Sequence, residues 1–216
     1  MLRFIRRLLL TALGLFVFSV GEYLTIRANI GLSPWSCLSM GASGHLPLSY
    51  GTTHVCISLL IVVIDLLLGE RIGFGTILDA LEVGVCVDLL TALNLVPEMN
   101  SLPGGIAVMC AGLLIMAFGQ FIYMKQGLGC GPRDSLVVGL GRRVPKVPIG
   151  AVEVAVLALA LLAGWALGGP VGVGTVLSAF GVGIAMQLVF RLLRFEPRSV
   201  THEHMLQTLK GLREKP

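Results

Sequence analysis

"GFGTILDALEVGVCVDL", residues 73–89, returns later in the same chain as "GVGTVLSAFGVGIAMQL", residues 172–188. The two align without a gap. Eight of seventeen positions are identical: glycines 73, 75 and 84, Thr76, Leu78, Ala80, Val83 and Leu89. Self-similarity at a fixed spacing marks a duplicated structural unit. Working outward, "GLFVFSVGEYLTIR" (14–27) aligns with "GLLIMAFGQFIYMK" (112–125), and "NIGLSPWSCL" (29–38) with "GLGCGPRDSL" (127–136). The mates include Gly14 and Gly112, Gly21 and Gly119, and Pro34 and Pro132.

Composition sets the solvent for this duplication. Of the 216 residues, 55% are hydrophobic and 13% charged, and the mean hydropathy is +0.89. Apolar runs of about 18 residues or more are long enough to cross a hydrocarbon core of ~30 Å. The chain reads as an all-α, polytopic membrane protein. Its many glycines lie inside the apolar runs, where small residues let helices approach closely. The net charge of +4 does not point to nucleic acid. Arg3, Arg6 and Arg7 open the chain, Arg142, Arg143 and Lys146 cluster in the middle, and Arg191, Arg194, Arg198, Lys210, Arg213 and Lys215 close it. That is the loop pattern that orients a membrane protein.

Each half holds a long apolar run, a Pro-containing element and two more runs. The expected spans are 8–28, 52–69, 74–95, 105–126, 149–168 and 173–194. The Pro elements, 33–44 and 131–142, are too short to cross alone at 1.5 Å per residue, so they read as half-helices or re-entrant segments. Residues 1–100 form the first membrane repeat, 101–194 the second, and 195–216 a cytoplasmic amphipathic tail. With six spans both termini lie in the cytoplasm, and the loops 95–104 and 168–173, free of Lys and Arg, lie outside. The basic start followed by an apolar stretch has the look of a signal peptide, but its place in the duplication argues that it stays. An odd number of spans per half makes the two halves inverted.

The Pro elements are helix starts: Ser33 can cap with Pro34 at the first helical position, and Gly131–Pro132 does likewise. Free N–H groups at such ends carry partial positive charge, and broken helices in transporters line the substrate site. Arg133 then binds an anionic group or pairs with an intramembrane acid, with Asp134, Pro34, Trp35, Ser36 and Pro132 framing the site. The structural alternative is a pair of surface turns, with Asp134 stabilising its helix start and Arg133 snorkelling to the interface.

Six carboxylates fall within the expected spans: Glu22, Asp65, Asp79, Glu82, Asp88 and Glu153. Ionisable groups at membrane depth are costly and are functional candidates by default. Glu22, Glu82 and Asp79 are the candidates for carrying protons or balancing charge, and Asp65 and Asp88, near run ends, are expected to face headgroups. His54, the mate of Glu153, can join a relay. The first half is acidic where the second is neutral, since Glu22 aligns with Gln120 and Asp79 with Ser178.

Catalysis finds no footing: GxSxG, HExxH and Walker A sequences are absent, and no catalytic residue is assigned. Five cysteines without a CxxC spacing support neither a disulfide framework nor a metal site, and no cofactor is expected. In the tail, Met205, Leu206, Leu209 and Leu212 recur at helical spacing between basic residues. This reads as a short helix on the cytoplasmic leaflet, with His202 and His204 exposed to solvent. A chain of this size is open to homodimerisation, though no span declares an interface.

On "GLSPWSCL", "IGFGT", "GLGCGPRDSL" and "GGPVGVGT" the chain resembles the YczE-like family of bacterial integral membrane proteins, over roughly residues 10–194. The resemblance implies a polytopic protein of the bacterial cytoplasmic membrane. It also implies an Asp at the position of Ser36, mirroring Asp134, where this chain has Ser. The functional expectation is a small secondary transporter, proton-coupled in one version, for a solute carrying an anionic group. The alternative is a membrane accessory or scaffold protein that binds a partner and moves nothing.

Overall fold

The computed structural model describes residues 2–213 and contains helices and no strand among them. Residues 214–216 of the expected tail lie outside the described residues. The helices are α1 (Leu2–Arg27), α2 (Pro34–Ser43), α3 (Tyr50–Leu67), α4 (Phe74–Leu93), α5 (Leu102–Met124), α6 (Pro132–Arg143), α7 (Ile149–Ala166), α8 (Val173–Leu192) and α9 (Met205–Arg213). Five of them, α1, α3, α5, α7 and α8, are long and apolar enough to cross a membrane. The remaining expected span, α4, carries Asp79, Glu82 and Asp88 in its 20 residues. Leu60, Val63, Leu67, Leu159, Phe180 and Ile184 are exposed on the outer surface, an arrangement stable only against lipid. The buried faces carry the polar side chains instead: Thr11, Ser19, Glu22 and Thr25 of α1 are all within the protein.

Glycines decide how the helices meet. The longest interface is α1 against α5, and there the backbones touch. A Cβ at Gly21 would lie 2.5 Å from the Gly112 carbonyl oxygen, and one at Gly14 would lie 2.9 Å from that of Gly119. The two helices therefore run antiparallel, and each glycine meets the mate of the other. No larger side chain fits this crossing without moving a backbone.

The Pro-started helices are held by the opposite half. The chain leading into α2 bonds to the start of α8 (Gly174 N–H to the Ile30 carbonyl, 2.7 Å), and the chain leading into α6 bonds to the start of α4 (Gly75 N–H to the Leu128 carbonyl, 2.8 Å). Gly31 and Gly129 sit at φ +109° and +122° in these two entries, a region that L side chains rarely adopt. Further along, α2 packs on α7 and α6 on α3. As expected, Ser33 caps α2: its side chain accepts the Ser36 N–H, and Pro34 is the first helical residue.

Two expectations need correction. Asp65 does not face headgroups; it is 0% exposed, and neither carboxylate oxygen has a hydrogen-bond partner in the protein. Nor do His202 and His204 stand free in solvent. The Glu203 N–H bonds to the Gly127 carbonyl and the Met205 N–H to the Ile72 carbonyl. Arg7 pairs with Glu203 at 2.8 Å, and His202 and His204 are half-buried. The segment before α9 is thus docked across the α3–α4 and α5–α6 connections. Asp88, by contrast, is half-buried and caps α3, accepting the Gly51 N–H at 2.8 Å and the Thr52 N–H at 3.2 Å.

Candidate functional site

Both Pro-started helices open onto one cavity of about 370 Å³, to which all eight of the helices α1–α8 contribute side chains. That is within the ordinary size range of small-molecule sites. Of the expected site residues, Pro34, Trp35, Pro132, Arg133, Asp134, Glu22 and Asp79 line it; Ser36 and Glu82 do not.

Arg133 comes from the first turn of α6, one residue after Pro132. Its Cζ lies 5.2 Å from the centroid of the Trp35 ring, and its Nη2 lies 3.1 Å from His54 Nε2. Donation from the guanidinium requires the neutral imidazole with its lone pair on that nitrogen. Arg133 makes no ion pair among the described residues, whose pairs are Arg7–Glu203, Arg27–Glu98 and Arg142–Glu70. The cation is held by an aromatic face and a neutral ring. Such a cation retains attraction for an incoming anion.

Ser36 acts one shell behind the cavity wall. Its hydroxyl donates to Glu22 Oε1 at 2.6 Å, and the Tyr50 hydroxyl donates to the same oxygen at 2.8 Å. Ser33 Oγ lies 2.6 Å from Ser36 Oγ. Glu22 is 1% exposed, and two hydroxyl donors are what a buried carboxylate needs. The network ties α1, α2 and the start of α3 together at the N-terminus of α2. Nothing in the sequence spacing singled out Tyr50; it follows directly on the α2–α3 connection and has no counterpart in the second half.

Asp79 and Glu82 lie one turn apart on α4, yet packing separates them. Asp79 faces the cavity beside the N-terminus of α6, where a Cβ at Gly131 would lie 2.5 Å from its Oδ2. Glu82 is half-buried away from the cavity, with Oε2 buried and unpartnered. Gln120, Tyr123 and Ser178 add polar groups to the lining, and Phe18, Met116, Val156 and Met186 supply apolar wall. Cys130, at the entry to α6, holds its carbonyl to the Thr76 hydroxyl at 2.6 Å, which fixes the approach of α6. Among the described residues no three His, Cys, Asp or Glu side chains gather as a metal site.

The lining thus carries one guanidinium and four carboxylates, Glu22, Asp79, Asp134 and Glu153. Two helix N-termini add partial positive charge. A polar solute with groups of both signs finds partners here.

Comparison with known proteins places this architecture in context. The pattern of the family described as "Family of unknown function (DUF6198)" matches residues 5–191. The uncharacterized membrane protein YczE of Bacillus subtilis is 31% identical over 180 residues, covering 81% of this chain and 80% of that protein. An uncharacterized protein of Haemophilus influenzae is 30% identical over 180 residues, covering 83% of this chain and 81% of its own length. The uncharacterized protein YyaS of Bacillus subtilis is 30% identical over 169 residues, covering 77% and 83%. No solved structure matches.

Proposed function

The chain belongs to the DUF6198 family, and from the geometry of its cavity we propose that it is a small secondary transporter of inverted-repeat design. The observation that carries this reading is the cavity between two Pro-started helix ends, with Arg133 inside it and no carboxylate paired to it. A protein that only docks a partner has no use for an internal polar chamber. The cost of placing four carboxylates and a guanidinium there argues for a ligand.

The inverted relation of the halves is supported by the reciprocal bonds into Ile30 and Leu128 and by the exchanged glycine contacts of α1 and α5. With α4 counted as a sixth span, the basic residues put both termini in the cytoplasm, in the bacterial inner membrane. The solute is small and carries an anionic group that meets Arg133 and the helix N-termini. Because carboxylates outnumber the guanidinium, a solute that also carries a cationic group fits best. Proton coupling falls to Glu22 and Asp79, the two candidates within or against the cavity.

The test has two arms. Purified protein in detergent is screened by thermal unfolding against anionic, cationic and zwitterionic metabolites, beside Arg133→Ala. A stabilising class is then offered to proteoliposomes with and without a pH gradient. Uptake of a zwitterionic class, lost in Arg133→Ala, is the expected outcome. No stabilisation by any class, with both proteins equally stable, would overturn transport in favour of the scaffold reading.

A further inference from the structure

The two halves share a frame but differ in how their last two helices pack. In the first half α3 packs along α4; in the second, α7 and α8 do not pack along one another. The first contact is made by glycines. A Cβ at Gly84 would lie 2.8 Å from Val55 Cγ2 and closer still to the Gly51 carbonyl oxygen. Asp88 locks the contact by capping the start of α3.

The mates of Gly51 and Gly84 are Gly150 and Gly183, so the second half keeps the same glycine pair. Neither has anything within 4 Å of the position a Cβ would take. Their surroundings are open in the same sense. His54 is 3% exposed while its mate Glu153 is exposed, and Val55 is half-buried while Val154 is 65% exposed. Gly183, Glu153 and Ser178 line the cavity, which therefore reaches the gap between α7 and α8. A glycine inside a helix weakens it and is of use only where another backbone comes close. In this arrangement nothing comes close to either.

We propose that α7 and α8 form a gate that closes by docking Gly150 against Gly183, as Gly51 docks against Gly84, while α3 and α4 part in exchange. The present structure is then the state open between α7 and α8. Gln187, the mate of Asp88, stands where its amide oxygen can cap α7 in the closed state. The purpose of the gate rests on the transport reading, since the exchange would expose the cavity alternately at the α7 and α3 ends. Its existence does not.

The experiment is spin-label distance measurement in lipid nanodiscs, in a background with the five cysteines replaced by alanine. One label pair sits at Thr52→Cys and Leu89→Cys on α3 and α4, the other at the mates Ala151→Cys and Leu188→Cys on α7 and α8; all four positions are exposed. The expected result is two distances for the α7–α8 pair, the shorter matching the α3–α4 pair. Gly183→Leu, which meets open space here, should leave the fold intact and remove the short distance. Gly84→Leu should enrich it. A single long α7–α8 distance in the parent and in both folded variants overturns the gate, and Gly183→Leu decides if Gly84→Leu fails to fold. The measurement needs no solute: exchange without uptake of any solute sinks transport and leaves the gate, whereas uptake without exchange sinks the gate alone.

Discussion

The guanidinium of Arg133 lies over the indole of Trp35, Cζ to centroid 5.2 Å, and each residue directly follows the proline that starts its helix. The two positions align when residues 29–38 are matched with 127–136, so aligned residues, one a cation and the other an aromatic face, touch each other. A cation–π contact out of bulk water contributes ~0.5–2 kcal/mol. A double-mutant cycle of Arg133→Ala and Trp35→Leu, read by chemical unfolding in micelles, should return a coupling of that size. A coupling near zero would mean that the stack holds nothing together.

Glu22 accepts from Ser36 and Tyr50 while almost fully buried. Hydrogen bonds to a charged group are worth roughly 1.5–3 kcal/mol each. Tyr50→Phe and Ser36→Ala should each destabilise by about that much, and Glu22→Ala by more than either, because it strands both hydroxyls. Thermal unfolding of the three variants checks the order.

The proton-coupling proposal separates Asp79 from Glu82. Asp79→Asn should abolish uptake driven by a pH gradient while leaving ligand-induced stabilisation in place, about 2.7 kcal/mol at a hundredfold excess over Kd. Glu82→Gln, off the cavity, should leave both unchanged. Loss of uptake in the Glu82 variant would move the coupling group out of the chamber.

Glycines at the α1–α5 crossing should be intolerant of a single methyl group. Gly21→Ala forces the backbones apart and should cost about 1–3 kcal/mol by overpacking. Gly183→Ala, facing open space, should be neutral or stabilising by up to ~1 kcal/mol. Parallel unfolding curves decide whether backbone contact or helix propensity governs.

Docking of the tail should depend on pH through His202. Burial lowers its pKa below the usual imidazole value of 6.5, against a smaller opposing contribution from the Gly129 backbone. The undocked tail therefore binds more protons than the docked one across that window. Docking is at full strength above 6.5 and declines as the pH falls toward the lowered value. A spin label on exposed Gln207 should be more mobile at about pH 5.5 than at about pH 7.5. His202→Gln should remove the difference.

Much of the helical frame was legible in the residues. The expected runs and both Pro elements appear as helices, with bounds within about three residues of those expected except that α1 begins at Leu2 rather than at residue 8, because run length, helix-starting prolines and flanking glycines are local signals. The faces of the helices were not legible. Runs that are apolar all round show no periodicity, so nothing in "ILDALEV" (77–83) distinguishes a cavity-lining Asp79 from a Glu82 turned away. Asp65 looked like a helix-end residue and is sealed inside.

By itself, then, the sequence determined the solvent and the helices, since these follow from composition and spacing along one chain. Only the tertiary structure decided which carboxylates share a chamber with Arg133, that Tyr50 joins Glu22, and that Gly51 meets Gly84 while Gly150 and Gly183 stand apart. Those relations depend on how closely backbones approach across the two halves, and close approach is a property of pairs of helices that no single helix encodes.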